Sequence, residues 1–272
     1  MNQPLISIIT ICYNAEDCIE KTILSVINQA YQNIEYIIID GKSTDGTMDI
    51  VNKYKDRIST IVSEKDAGVY DAMNKGITYA TGKWVNFMNA GDTFANTDVL
   101  KQVFENKEYK ENVAIIQGDN IGIYKAARNT CLTSYQSFRT TNLRDNPQNG
   151  AFCHQAIFVR QDVIRNYPFN TKYKVMADHD QLRRIVSSNV YVAEYLPFPF
   201  CYYDFSGLSS LSFIQLTKEE YALGIISKYK YYRRLCRSHI TTRLPKGLRF
   251  FIRSLIIKRK LKTKEQMAND CL

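Results

Sequence analysis

The chain has 272 residues, of which 45% are hydrophobic and 23% charged, values that fit a globular protein of one large α/β domain with a tail, or two small domains. The net charge of +9 is unevenly placed: residues 1–210 hold 21 Lys/Arg against 23 Asp/Glu, and residues 211–272 hold 15 against 4. A near-neutral body argues against nucleic acid as a partner and assigns the basic character to the tail.

In chain order, Leu5 to Ile11 is a short β-branched run that predicts a buried strand. Apolar spacing at Ile19, Ile23, Val26 and Ile27 predicts a helix over 15–30. Ile34 to Asp40 is a second buried strand, broken by the turn-rich Gly41-Lys42-Ser43-Thr44-Asp45-Gly46. A helix over 47–54, a strand over 58–63, a helix over 69–80 and a strand over 84–89 follow. This alternation predicts βαβ units and a mostly parallel, Rossmann-like central sheet flanked by helices. Its right-handed crossovers place the loops after each strand at one edge. Beyond Val113 the pattern changes to strand pieces at 113–117 and 121–126, a strand at 156–159 and a helix at 178–188. A closing pair of strands at 190–196 and 200–205 completes an extension of the same sheet. No apolar run reaches the ~18 residues that span a bilayer, and Met1–Pro4 carries no basic export signal. Seven scattered cysteines without a Cys-x-x-Cys pair fit packing or surface residues in a reducing cytoplasm.

Polar residues cluster where the predicted strands stop: Thr10, Tyr13 and Asn14 after the first, Asp40, Ser43 and Asp45 after the second, Asn89 and Asp92 after the fourth. On a parallel sheet these converge on one crevice. A carboxylate at a strand end suits the donors of a nucleotide. One beside a glycine suits Mn²⁺ or Mg²⁺ bound to phosphates. Taken singly, Asp40, Asp45 and Asp92 also read as turn-formers or helix caps; taken together they favour a site.

Four strings carry a resemblance to a known family: Ser7-Ile-Ile-Thr-Ile-Cys-Tyr-Asn14, Ile39-Asp-Gly-Lys-Ser-Thr-Asp-Gly-Thr47, Ser63-Glu-Lys-Asp-Ala-Gly-Val-Tyr-Asp-Ala-Met-Asn-Lys-Gly76 and Phe87-Met-Asn-Ala-Gly-Asp92. In this order they resemble the inverting family-2 glycosyltransferases of the GT-A fold, of the bacterial surface-polysaccharide type, over about residues 5–210. The resemblance implies a GT-A domain over 1–210, with a nucleotide-sugar half (1–112) and an acceptor half (113–210), followed by a helical basic tail (211–272). It implies transfer from a nucleoside-diphosphate sugar, usually of uridine, to an acceptor hydroxyl in polysaccharide or lipid-linked oligosaccharide synthesis. Thr10 and Asp40 would hold the base, Tyr13 would pack on base or ribose, Asp71 would contact the ribose–phosphate end, and Asp92 would ligate Mn²⁺ or Mg²⁺. Asn14, Ser43 and Asn89 join the donor-binding set. The family's metal motif carries two or three aspartates, whereas this chain reads Asn89-Ala-Gly-Asp92; one carboxylate remains, and Asn89 can contribute an oxygen or bind ribose.

In the second half, Asp178 and Asp180 open a predicted helix, where acidic side chains also suit the macrodipole. An inverting transfer needs a carboxylate to take the acceptor's proton. The stretch resembles the family's Glu-Asp motif with Ala177 in place of Glu, and Asp178 matches the base. His154, in Cys153-His-Gln155 before a strand, is read equally as structural or as a contact to donor phosphate or acceptor. Arg183 and Arg184 are read as a solvated face.

The stretches 229–237 and 246–262 mix aromatic or aliphatic residues with cations, a pattern that predicts a basic amphipathic helix lying on an anionic membrane surface. The expectation is a cytoplasmic enzyme, peripheral on the inner face of the cell membrane. Two rivals stand beside the enzyme reading. A nucleotidyltransferase would need a Gly-rich basic loop near the N-terminus, which the Thr10–Asn14 stretch lacks. A non-catalytic sugar-nucleotide-binding scaffold would bind without turnover.

Overall fold

The structure is a computed structural model that describes residues 3–125, 131–136, 153–204 and 213–242. The chain forms two compact units, one of Met1–Gly122 with Tyr135–Asp204 and one of Ile123–Ser134 with Phe205–Leu272.

The first unit is built on a mixed sheet. Strands β1 (Ile6–Cys12), β2 (Ile34–Asp40), β3 (Thr60–Ser63) and β4 (Trp84–Phe87) are mutually parallel in the order β3-β2-β1-β4. The sheet continues through β8 (Ile157–Arg160), β6 (Val113–Lys125), β9 (Val192–Asp204) and β5 (Thr93–Phe94), with β8 antiparallel to both β4 and β6. A further strand, β7 (Cys131–Gln136), pairs with β6. The second half thus extends the first half's sheet, as its strand pieces predict.

Every residue of β1 is buried, because helices cover both faces of the sheet. The period of two along β1 decides which core each side chain joins. Ile6 and Ile8 pack with α1 (Ile19–Ile27), α2 (Thr47–Lys53) and α4 (Val99–Phe104). Ile9 and Ile11 pack with α3 (Val69–Tyr79), α5 (Gln161–Asn166) and α6 (Ala177–Ser187). Helix α1 starts four residues later than its apolar spacing predicts. Asn14 takes φ +47, and the Ala15 N–H donates to Thr47 Oγ1 at 2.7 Å, which commits 13–18 to a loop.

Two strands run unbroken where the sequence reading has pairs of pieces. Residues 113–125 form one strand where two pieces are predicted. Gly118-Asp119-Asn120 has the chemistry of a turn, yet Asp119 and Asn120 are buried and Tyr195 Oη donates to Asp119 Oδ1 at 2.7 Å. Gly118 leaves room for the Phe200 ring, since a Cβ there would meet Phe200 Cδ1 at 2.1 Å. Residues 192–204 are likewise one strand, although they contain Pro197 and Pro199. Prolines two apart lack donors on the same edge of a strand, and β5 pairs on its side only with Cys201 and Tyr202.

In the second unit, α7 (Phe213–Ala222) and α8 (Lys228–Thr242) form a helical hairpin that turns through Gly224 at φ +69. Tyr221 stacks on Tyr231 at 4.6 Å, and Arg234 pairs with Glu220. Lys228, Tyr229, Lys230, Tyr232 and Arg233 are exposed. The predicted amphipathic stretch 246–262 lies outside the described residues. Among the described residues no helix is long and apolar enough to cross a membrane.

The Gly118–Phe200 contact is a test of the strand assignment. Gly118→Ala should cost about 1–3 kcal/mol through overpacking, read from the urea midpoint, and Phe200→Leu in the same chain should recover part of the loss.

Candidate active site

The parallel strands end at one edge, and the loops that leave them are tied together by side chains. Asn14 N–H donates to Ser43 Oγ at 2.8 Å, and Thr44 N–H donates back to Asn14 Oδ1 at 2.9 Å. Glu16 and Asp45 repeat this exchange: Glu16 N–H donates to Asp45 Oδ2, and Gly46 N–H to Glu16 Oε2. Asp45 also accepts from the hydroxyl and N–H of Thr47, an Asx turn that leads into α2 and holds the loop pair closed.

Asp40 is fully buried. Its carboxylate accepts from Ser43 Oγ at 2.5 Å, Ser43 N–H at 3.0 Å and Ser63 Oγ at 2.6 Å. Thr10 is also enclosed, and its hydroxyl donates to Met88 O at 2.8 Å; it braces β1 against β4. Tyr13 is exposed, at 63%. Its ring lies over Gly41, where a Cβ would meet Tyr13 Cδ2 at 3.4 Å and Asp66 Oδ2 at 2.5 Å. Asp66 therefore joins Tyr13 and Asp40 beside Gly41, a residue the strand-end reading missed by passing over the loop after β3. Asp71, in the first turn of α3, accepts from Ala67 N–H at 2.9 Å and faces Lys75 at 3.6 Å.

A second cluster lies beyond β4. The Asn89–Asp92 turn is closed by Asp92 N–H donating to Asn89 O. Asp92 is 5% exposed. Its Oδ2 accepts from Gln155 Nε2 at 2.6 Å and its Oδ1 from Asp204 N–H at 2.9 Å. Burial pushes the Asp92 carboxyl up to about 6, against the pull of those donors. Asn89 Nδ2 lies 2.9 Å from His154 Nε2, while Asn89 Oδ1 is buried without a partner.

His154 and Gln155 sit on one 3-10 turn (His154–Ala156) before β8. Gln155 grips Asp92, and His154 spans to the base candidate: its Nδ1 lies 3.2 Å from Asp178 Oδ2. Asp178 is 8% exposed. Its Oδ1 accepts from His179 N–H at 2.8 Å and faces His179 Nδ1 and Tyr70 Oη, both at 3.3 Å. Burial alone would raise this carboxyl, but the imidazoles of His179 and His154 outweigh it and hold Asp178 well below the usual carboxylate range. A small enclosed cavity of ≈ 20 Å³ adjoins Asp178 and His154 between Phe87, Phe169 and Gln181, enough for about one water. Asp180, in contrast, is held by Arg184 at 2.8 Å, a pairing along one helix face. A larger groove of ≈ 720 Å³ opens among Lys83, Trp84, Tyr109 and Arg160 and contains none of these residues.

Tyr70 and His179 enter the site from the structure, whereas Gln155 is read from the sequence together with His154; Tyr70 lies within the Ser63–Gly76 string, but its contact to Asp178 joins positions 108 apart.

Asp92 and Asp178 act on stability with opposite signs. Asp92 titrates higher folded than unfolded, so its contribution is full below its ordinary value of 3.8 and is lost as pH rises to about 6. Asp178 titrates lower, so its contribution is present above 3.8 and lost as pH falls. Relative to wild type, Asp92→Asn should therefore gain about 2–3 kcal/mol between pH 4 and pH 7, measured by urea unfolding of both proteins across that range.

Comparisons with known proteins agree with this architecture. The family model described as "Glycosyl transferase family 2" matches residues 7–167. The chain is 32% identical over 226 residues to the PGL/p-HBAD biosynthesis glycosyltransferase Rv2957 of Mycobacterium tuberculosis, covering 77% of this chain and 81% of that one. It is 40% identical over 100 residues to the Escherichia coli UDP-Glc:alpha-D-GlcNAc-diphosphoundecaprenol beta-1,3-glucosyltransferase WfaP, covering 36% of this chain and 40% of that one. Among solved structures, S. aureus TarS 1-349 superposes with TM-score 0.59 at 18% identity, over 79% of this chain and 62% of that one. The mannosyltransferase PcManGT of Pyrobaculum calidifontis, in complex with GDP-Man and Mn²⁺, superposes with TM-score 0.61 at 18% identity, over 83% and 65%. The chain thus spans less than two thirds of the length of these two structures, and the likeness is one of fold, the GT-A fold. With the family model covering more than half of the chain and a relative sharing 32% identity across most of both lengths, the chain belongs to glycosyltransferase family 2.

Proposed function

We propose that this glycosyltransferase moves a sugar from a nucleoside-diphosphate donor, a UDP-sugar, to a hydroxyl of a saccharide or lipid-linked saccharide, with inversion at the anomeric carbon. The observation that carries the reading is the enclosed Asp178, which contacts the imidazoles of His154 and His179 and is joined through His154 to the Asn89–Asp92 turn. Such a carboxylate can take the acceptor's proton as the oxygen attacks. Asp178 is the base in this reading, since Asp180 is committed to Arg184. The uridine donor is supported by a TarS structure in complex with UDP-GlcNAc and by the printed name of the E. coli relative. Tyr13, Asp66 and Asp71 line the nucleotide side, where the exposed Tyr13 ring offers a stacking surface, and the buried Asp40 supports it from beneath. Asn14 and Ser43 act through the loop exchange that fixes the shape of this side, and Thr10 from beneath it.

A divalent cation fits this site in a limited way. Among the described residues no group of three or more His, Cys, Asp or Glu side chains is arranged to hold a metal ion. Asp92 supplies one carboxylate whose oxygens each already accept a hydrogen bond. Mg²⁺ and related ions are commonly held by one or two carboxylates together with substrate phosphates, so Asp92 would hold Mn²⁺ or Mg²⁺ in company with the diphosphate. When bound, the ion would offset the charge that develops on the leaving diphosphate. The residues' own work is separate: Gln155 and the Asp204 N–H aim Asp92, and His154 and His179 orient Asp178.

Donor hydrolysis tests the reading. Purified protein with UDP-, GDP- and dTDP-sugars should release one nucleoside diphosphate in the presence of Mn²⁺. Asp92→Ala and Asp178→Asn should each lower kcat by about 10²–10⁴-fold. Binding without release, even with membrane extract as acceptor, would favour the scaffold reading. Calorimetry should find Mn²⁺ binding only when UDP is present.

The membrane reading is supported by α8, whose exposed Lys228, Tyr229, Lys230, Tyr232 and Arg233 combine tyrosines with cations, the chemistry of an anionic bilayer surface. We place the enzyme peripherally on the inner membrane face, held through residues 211–272. Removing residues 240–272 should shift the protein from membrane to soluble fractions; unchanged partitioning would sink this placement.

A further inference from the structure

The two hydrogen-bond donors on Asp92 come from segments far apart in the chain. Gln155 Nε2 arrives on the 3-10 turn before β8, and the Asp204 N–H at the end of β9. These segments touch through two thiols. Cys153 Sγ lies 3.9 Å from Cys201 Sγ, and both cysteines are buried and outside any disulfide. Cys153 stands just before His154 and Gln155. Cys201 stands on β9 shortly before Asp204 and pairs with Phe94, which follows Asp92 closely in the chain. The thiol pair thus joins the two elements that hold the Asp92 carboxylate.

Each link in this contact has a direction. Gln155 is 2% exposed, so both ends of its amide need partners inside the protein. Nε2 donates to Asp92 Oδ2 at 2.6 Å. Oε1 therefore needs a donor of its own, and the Cys153 S–H supplies it at 3.1 Å. A thiol has one proton. With that proton directed to Gln155, the Cys153 sulfur is left as an acceptor for the S–H of Cys201. Burial pushes the Cys201 thiol well above its ordinary value, which keeps its proton in place. Turned over, the Gln155 amide would set Oε1 against the Asp92 carboxylate and Nε2 against a weak sulfur acceptor. Without the thiol proton, Oε1 would be buried and unmet, a cost that a shift of Gln155 away from Asp92 would relieve.

We infer that Cys153 is a positioning residue for the donor side: its S–H, ordered in turn by Cys201, fixes the Gln155 amide and through it the direction of the Asp92 carboxylate. The inference rests on the reading of Asp92 as the residue that holds a cation together with the donor's diphosphate. It gives Cys153 no contact with substrate and no part in bond making. It also sets Cys153 apart from a packing residue, since an apolar side chain of similar size would fill its place and still leave Gln155 Oε1 unmet.

Paired substitutions in the full chain separate donation from packing. Cys153→Val keeps the volume and removes the donor, whereas Cys153→Ser keeps a donor. With UDP saturating, calorimetry should find Mn²⁺ binding weakened about 10-fold in Cys153→Val and within about 3-fold of wild type in Cys153→Ser, as for loss and rescue of a group that orients a metal ligand. Adding Cys153→Val to Gln155→Leu should weaken binding no further. Wild-type affinity in Cys153→Val, a Cys153→Ser as weak as Cys153→Val, or losses that multiply with Gln155→Leu each overturn the inference and return Cys153 to packing. The infrared S–H stretch reads the contact without metal or nucleotide. The band lost in Cys153→Ser should move to higher frequency in Gln155→Leu, and a band that stays in place overturns the inference too. Should Cys153→Val fail to fold, Cys153→Ala takes its place in the binding series. A folded wild-type protein that binds no nucleoside diphosphate refutes the glycosyl-transfer reading, and the role of Cys153 with it. One that binds UDP with Mn²⁺ but is indifferent to Cys153→Val refutes this inference alone.

Discussion

A carboxylate taken almost wholly out of water must be met by donors or neutralised. Asp178 is met by donors, and the elements that supply them define the second half of the site. Tyr70 reaches it from α3, His154 from the 3-10 turn before β8, and His179 from its own helix. Each comes from a different segment of chain, so the charge can be held only when the parallel sheet, the extension through β8 and α6 are all in place. The ionised carboxylate and the completed fold are in this sense one condition.

Asp92 shows the same principle with a different balance. Its partners are an amide and a backbone N–H with no imidazole in contact, and burial wins, raising the carboxyl to about 6. Two aspartates within reach of one 3-10 turn are thereby driven in opposite directions. His154 and Gln155 are adjacent, yet one serves the base and the other the donor turn. A displacement of this turn would disturb both at once, which makes it the hinge between the two chemical tasks proposed for the site.

The departure from the usual family-2 metal motif acquires a physical reading in this setting. Where the family carries a carboxylate, this chain has Asn89, whose amide offers a donor on one side and an acceptor on the other. A carboxylate there could only accept and would call for a proton on His154 Nε2, whereas the amide can donate to that nitrogen, as its 2.9 Å contact to the ring allows.

The alternation of strands and helices through residue 89 is legible from local pattern because each parallel strand is buried on both faces and each helix on one. Burial writes a period into neighbouring residues, and β2 falls at Ile34–Asp40 as that period predicts. The same pattern places Asp40, Asn89 and Asp92 at strand ends, and the family's strings name their neighbours. Local pattern fails where packing is decided far along the chain. Gly118-Asp119-Asn120 continues a strand because Phe200 and Tyr195 cover it, and Thr10 is committed to Met88. The Asn89–His154–Asp178 path joins positions 65 and 24 residues apart. Hydrogen bonds of a few ångströms between such positions leave no periodic trace in the residues around them, and so the partners of each polar group become visible only once the sheet has brought them to one edge.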